Sequence, residues 1–186
     1  VELTTLNVSQ VTNMSGMFYN ATKFNQNLNN WTFPTSDSTI TVNMSGMFST
    51  SSSSIVMAFN NGGIDITWNV SRVNNMSYMF QNNTTFNRNL NGLTLPASGS
   101  TIRNLNMSYM FNGATSFNNG GSIVDNLGDK PLTWNVSQVN NMSGMFYNAT
   151  SFNQSLNSWT FPASTSTITV TMTYMFATTS SSVKMA

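Results

Sequence analysis

Asparagine followed two residues later by serine or threonine is the pattern in this chain with the clearest chemistry. In a secreted eukaryotic protein it is the acceptor for N-linked glycan transfer, and it marks exposed surface. It occurs at Asn7, Asn20, Asn30, Asn69, Asn82, Asn83, Asn135, Asn148 and Asn153, which are the glycosylation candidates. It also occurs at Asn13, Asn43, Asn75, Asn106 and Asn141. There methionines flank the core side of the motif, and a capping role fits better. A chain rich in Asn, Ser and Thr generates such triplets by composition alone, and its asparagines can also form hydrogen-bonded ladders.

Other chemistry has little to work with. The chain has no His and no Cys, so the usual general base and thiol nucleophile are missing. Its acids are Glu2, Asp37, Asp65, Asp125 and Asp129, and none recurs at one site along the chain. No catalytic residue and no enzyme activity are expected. Asn60-Asn61-Gly62-Gly63-Ile64-Asp65 and Asn118-Asn119-Gly120-Gly121 resemble Gly-rich calcium corners, but those need an Asp in register at every turn. No metal site and no cofactor are expected. Trp31, Trp68, Trp134 and Trp159 are either packed corner residues or a sugar-stacking platform, and burial separates the two.

Charged residues make up 6% of the chain, with a net charge of +1. The Lys and Arg side chains are scattered, so no basic stripe exists to displace counterions from nucleic acid. No apolar run approaches the roughly 18 residues of a membrane helix, so no transmembrane segment is expected.

The elements that position these groups are set by a phrase, Asn-Met-Ser-Gly-Met-Phe, and its variants. Its Met-Phe pairs begin at Met17, Met47, Met79, Met110, Met145 and Met175, spaced 30 to 35 residues apart. Such a period signals stacked supersecondary units. Two kinds of turn alternate, one opening on Asn-Val-Ser at Asn7, Asn69 and Asn135, the other on Ser-Thr-Ile at Ser38, Ser100 and Ser166. The double units lie near residues 6–67, 68–133 and 134–186. Within the phrase, Met14, Met17 and Phe18 stand at i, i+3 and i+4, which predicts a short helical or 3-10 turn. Asn13, Asn43, Asn75, Asn106, Asn141 and Thr171 are its predicted N-caps. Met17, Phe18, Met47, Phe48, Met79, Phe80, Met110, Phe111, Met145, Phe146, Met175 and Phe176 are the predicted core, because Met fills irregular gaps and packs well on aromatics. The segments Phe24–Leu28, Phe86–Leu90 and Phe152–Leu156 are predicted strands that pair in parallel between turns. Insertions at Ser49–Ser54 and Asn119–Lys130 are expected to bulge outwards.

The fold class that follows is a leucine-rich-repeat-like repeat solenoid over residues 1–186, with about six turns in alternating pairs. The run from Val11 to Trp31, repeated at Val73–Leu93 and Val139–Trp159, resembles the DUF285 family, the BspA-like leucine-rich-repeat surface proteins. The resemblance covers essentially the whole chain, and it implies a solenoid displayed on a microbial cell surface. The segment Thr32–Ile40 departs from it by lengthening the turn.

The expected function is structural: an extracellular array that forms or decorates a surface fibre, filament or coat. Its partners would be further copies of itself, head-to-tail or lateral, together with N-linked glycans. The alternative is a cell-surface adhesin module that binds a glycan or a host protein. Ser180–Ala186 echoes Ser52–Ala58, whose continuation it lacks, so the chain is expected to be a piece of a longer array.

Overall fold

The computed structural model describes residues 3–122 and 130–179. Glu2, Asp125, Asp129, most of the Asn119–Lys130 insertion and the closing Ser180–Ala186 segment lie outside these residues.

Four short strands form one parallel sheet in the order β1-β2-β3-β4. They are β1 (Val42–Asn43), β2 (Val73–Asn75), β3 (Leu105–Asn106) and β4 (Val139–Asn141). Each holds a buried Val or Leu followed by the first asparagine of the phrase. Asn43 pairs with Asn75, Asn75 with Asn106, and Asn106 with Asn141. Single parallel bridges extend the row to Asn13 at one end and Thr171 at the other. The first residues of all six phrases therefore stand side by side. β2 and β4 carry one residue more than β1 and β3, and the register shifts to accommodate it. A shift of this kind is a bulge, which leaves one residue unpaired and bends the strand.

A second set of bridges joins Asn7 to Thr32, Asn69 to Thr94 and Asn135 to Thr160. It occurs once per double unit, so the alternation read from the sequence is present in the backbone pairing. Two 3-10 segments, Leu3–Thr5 and Asn61–Gly63, are the helical elements among the described residues.

The core is aromatic and methionine-rich. Phe18, Phe48, Phe80, Phe111, Phe146 and Phe176 form one stacked column, with successive ring centroids 5.3 to 5.7 Å apart. Phe24, Phe59, Phe86, Phe117 and Phe152 form a second column at 5.7 to 6.2 Å. The columns touch within each copy, as at Phe48 and Phe59, 3.7 Å apart. Near-parallel rings bury large apolar faces and add the attraction of offset stacking.

Three expectations need correction. The phrase is not a helical or 3-10 turn. Its fourth residue has a left-handed backbone in every copy: Gly16, Gly46, Tyr78, Tyr109, Gly144 and Tyr174 lie at φ 55° to 60°. One such residue breaks a right-handed helix, and Asn13 and its counterparts therefore cap no helix. Residues Phe24–Leu28, Phe86–Leu90 and Phe152–Leu156 are not strands; the sheet runs into the start of the phrase instead. Met17 and Phe176 are not buried, at 44% and 46% exposure. They lie on the first and last described copies, where neighbours cover one side only. Met47, Met79, Met110 and Met145, between them, are buried.

Candidate functional site

The backbone of the phrase is a hydrogen-bonding rail. The N–H groups of Met14, Gly16, Phe18 and Asn20 donate to the carbonyls of Asn43, Ser45, Met47 and Ser49 on the next copy, at 2.8 to 3.1 Å. The same step recurs from Met44 to Asn75, from Met76 to Asn106, from Met107 to Asn141 and from Met142 to Thr171. The intervening N–H groups stay within the copy. Met17 donates to Met14, Tyr19 to Gly16 and Ala21 to Phe18, closing successive tight turns. Ser15 donates to the side chain of Asn13 at 3.0 Å. No N–H from Met14 to Thr22 is left over, as buried backbone requires. Left-handed residues at the fourth position allow this division, because they close a turn and re-aim the next N–H.

The asparagines of the phrase thus have a definite role. Asn13, Asn43, Asn75, Asn106 and Asn141 each accept the N–H of the serine two residues on. This is an Asx turn, the local side-chain bond for which Asn is suited. Asn7, Asn69 and Asn135 do the same, and they are exposed.

A ladder missed by the strand reading runs through the asparagine that follows each second-column phenylalanine. Asn25 Oδ1 accepts the N–H groups of Asn60 and Gly62. Asn60 Oδ1 accepts from Asn87 and from the Arg88 guanidinium. Asn87 Oδ1 accepts from Asn118 and Gly120, and Asn118 Oδ1 accepts from Asn153 and Gln154. Side-chain amides make the inter-copy bonds here, which is why no strand forms. The recurring Phe-Asn pair was the available signal. The two Gly-rich corners are held by the same rungs.

The other sequons separate by burial. Asn30 is exposed. Asn20, Asn82 and Asn148 have left-handed backbones, and their side chains bond the neighbouring copy at Ser51, Thr50 and Thr179. Asn153 is half-buried at the end of the described ladder. Asn83 is fully buried, with its Nδ2 donating to the Phe59 carbonyl at 3.3 Å. It is withdrawn as a candidate, because a glycan cannot reach a nitrogen packed inside the core.

The tryptophans are buried at 2% to 8% exposure. Trp68 Nε1 donates to the Leu28 carbonyl and Trp134 Nε1 to that of Leu90, at 3.1 and 2.9 Å. They are packed corners, and no sugar can stack on them. The exposed aromatics among the described residues are Tyr19, Tyr78, Tyr174, Phe161 and Phe176.

The described acids stand on separate exposed corners. The Thr35 hydroxyl donates to the Asp37 carboxylate. With Asp37's own backbone N–H, it holds that carboxyl below the usual carboxylate range. A general acid needs the opposite shift. Asp65 Oδ1 accepts the Asn89 N–H at 3.1 Å, one copy away. Among the described residues, no three His, Cys, Asp or Glu side chains gather into a metal-binding cluster, and no helix is long and apolar enough to cross a membrane.

Residues 1–98 and 42–185 each match the family model described as "Mycoplasma protein of unknown function, DUF285". No curated protein and no solved structure matches the chain.

Proposed function

The chain belongs to the DUF285 family, and we propose that it is a leucine-rich-repeat-like solenoid of the BspA type, working as an extracellular structural repeat protein. In this reading its turns build or decorate a surface fibre, filament or coat, with no enzymatic activity, and its exposed sequons carry glycans.

One observation carries the reading: the phenylalanine column and the backbone rail pass unbroken through all six copies of the phrase. Among the described residues each copy of the phrase bonds only its neighbours, so the pattern has no internal limit on length, as in other one-dimensional repeat architectures. The face holding Met172, Tyr174 and Phe176 is exposed. It matches the faces that intervening copies bury against the next copy. A further turn fits it, whether from the same chain or from a second molecule stacked head-to-tail. Association that does not close on itself yields filaments, and a net charge of +1 offers little repulsion against it.

Electron microscopy and sedimentation of the purified protein test this. Rods or filaments that lengthen with concentration are expected. Monodisperse monomers at every concentration would sink the assembly reading.

A second reading, a cell-surface adhesin module, is favoured by the exposed tyrosines. The buried tryptophans no longer support it.

A further inference from the structure

Three tyrosines hold a backbone conformation that bulky side chains avoid. Tyr78, Tyr109 and Tyr174 lie at φ 58°, 56° and 55°. At the same position of other copies, Gly16, Gly46 and Gly144 adopt φ 59° to 60°. Glycine enters this region without steric penalty, whereas a tyrosine there is a genuine outlier. Strained residues of this kind concentrate at functional positions.

The rings cover one edge of the stacked phrases. Tyr78 and Tyr109 stack with centroids 5.2 Å apart and planes 4° from parallel. Tyr109 then leans over Gly144 on the next copy, where an added Cβ would lie 2.3 Å from its Cε1. Tyr174, one copy further, is 69% exposed. In the adjacent column, the residue after the phenylalanine is Tyr19 on the first copy, Tyr147 on the fifth and Ala177 on the sixth. Gly144 thus makes room for the Tyr109 ring, and Ala177 leaves a gap where Tyr19 and Tyr147 stand on other copies. Beside that gap opens a cleft of about 350 Å³, lined by Tyr109, Tyr147, Tyr174, Ala177 and Thr178. That volume falls within the range of small-molecule sites.

We propose that this cleft binds a pyranose ring of a neutral glycan. The C–H face of a pyranose packs on the face of a tyrosine ring, while its equatorial hydroxyls project from the edge. Three of the lining residues carry phenolic hydroxyls, and each both donates and accepts. The lining holds no carboxylate, ammonium or guanidinium, which suits an uncharged polyol. Aromatic cages also take quaternary ammonium groups, but no carboxylate lines this one to balance such a charge. The proposal rests on the adhesin reading, and a further turn stacked on the face of Met172, Tyr174 and Phe176 would compete with the sugar for Tyr174.

Saturation-transfer NMR and titration of the full chain test it, using maltotriose, cellotriose and chitotriose as probes and choline chloride as the cationic comparison. At least one trisaccharide is expected to bind weakly and choline not at all. Tyr174→Gly installs the residue that three other copies carry, so the fold is expected to survive. Ala177→Tyr removes no ring and fills the gap with the residue found at Tyr19 and Tyr147. Each change is expected to weaken binding by about tenfold, the equivalent of one lost stacking contact, without lowering the melting temperature. If Tyr174→Gly unfolds, Ala177→Tyr decides alone. Binding that survives both changes overturns the cleft but leaves an adhesin with its site elsewhere. No binding by the unaltered chain overturns both for neutral glycans. Binding of choline alone overturns the sugar assignment.

Discussion

The side-chain carbonyl of Asn25 accepts the backbone N–H of Asn60 at 2.8 Å, across the boundary between one copy of the repeat and the next. Asn60, Asn87 and Asn118 repeat the relationship in turn. Stacking explains why the rung is Asn and why the chain has so few charges. Residues in one column stand roughly 4.8 Å apart, the spacing of paired strands. Carboxylates at that distance repel by about 1 kcal/mol even in water, and by more where solvent is excluded. A neutral amide supplies the same acceptor without repulsion. The 6% charged content thus follows from the architecture.

Among the described residues, Asn87 and Asn118 are the rungs most heavily used, with three side-chain bonds each. Asn87 Oδ1 accepts the Asn118 and Gly120 N–H groups, both at 2.8 Å, and its Nδ2 donates to the Gly121 carbonyl at 3.1 Å. Asn87→Ala leaves two backbone donors unmatched and is expected to cost about 2–4 kcal/mol. Asn87→Asp keeps the acceptor and should fall between. Asn30→Ala, at an exposed sequon, should stay within about 0.5 kcal/mol. Urea unfolding of the three variants measures this, and equal losses at positions 87 and 30 would show that the ladder adds nothing.

Much of this was legible in the sequence, and the misses have physical causes. The Met-Phe period gave the copy spacing, and the alternation of Asn-Val-Ser with Ser-Thr-Ile segments gave the double unit. The spacing of Met14, Met17 and Phe18 suggested a helix because two successive tight turns place side chains at similar intervals. The contrary signal was the exchange of Gly16, Gly46 and Gly144 with tyrosine, alongside Gly113 at the position of Asn20, Asn82 and Asn148. Gly and Asn share a tolerance for left-handed backbone, and those positions have it. The Phe24–Leu28 strand failed because side-chain amides took over its backbone pairing. Such substitution leaves no trace in hydrophobic alternation.

The phenylalanine columns should show position-dependent stability. Phe111 is fully buried and stacks on Phe80, Phe117 and Phe146. Phe111→Ala is expected to cost about 3–5 kcal/mol, from lost transfer energy and the cavity left behind. Phe176, 46% exposed and stacked on Phe146 alone among the described residues, should cost about 1 kcal/mol or less. Thermal unfolding compares them. Hydrogen exchange should also show protection lost chiefly on the copies beside Phe111, because nearest-neighbour terms dominate a stacked repeat.

Two glycines separate backbone strain from steric conflict. Gly16 lies at φ 60°, and an added Cβ meets nothing nearer than the Tyr19 Cβ at 3.7 Å. Gly16→Ala should therefore cost about 1–2 kcal/mol, the penalty for a left-handed L-residue. Gly144→Ala carries the same penalty at φ 59° and also drives its methyl against the Tyr109 ring. It should cost more and change the Tyr109 ring resonances in NMR spectra. An equal cost with Tyr109 undisturbed would place that ring elsewhere.

The sequons should divide by accessibility when the chain is produced in a eukaryotic secretory host. Asn7, Asn69 and Asn135 are exposed, and among the described residues each uses its Oδ1 alone, in an Asx turn with the serine two residues on. Their Nδ2 atoms are open to modification without loss of that turn. Asn20 and Asn148 spend side-chain bonds on the next copy and Asn82 on the preceding one, so a glycan there competes with stacking. Asn83 is sealed inside the core, where its Nδ2 reaches the Phe59 carbonyl. Peptide mass spectrometry after glycosidase treatment in heavy-oxygen water reads each site. High occupancy is expected at Asn7, Asn30, Asn69 and Asn135, with reduced occupancy at Asn20, Asn82 and Asn148. In the natively folded fraction Asn83 should carry none. A glycan on Asn83 in folded material would contradict the packing of the second phenylalanine column, because the chain would have to open between Phe59 and Phe86 to admit it.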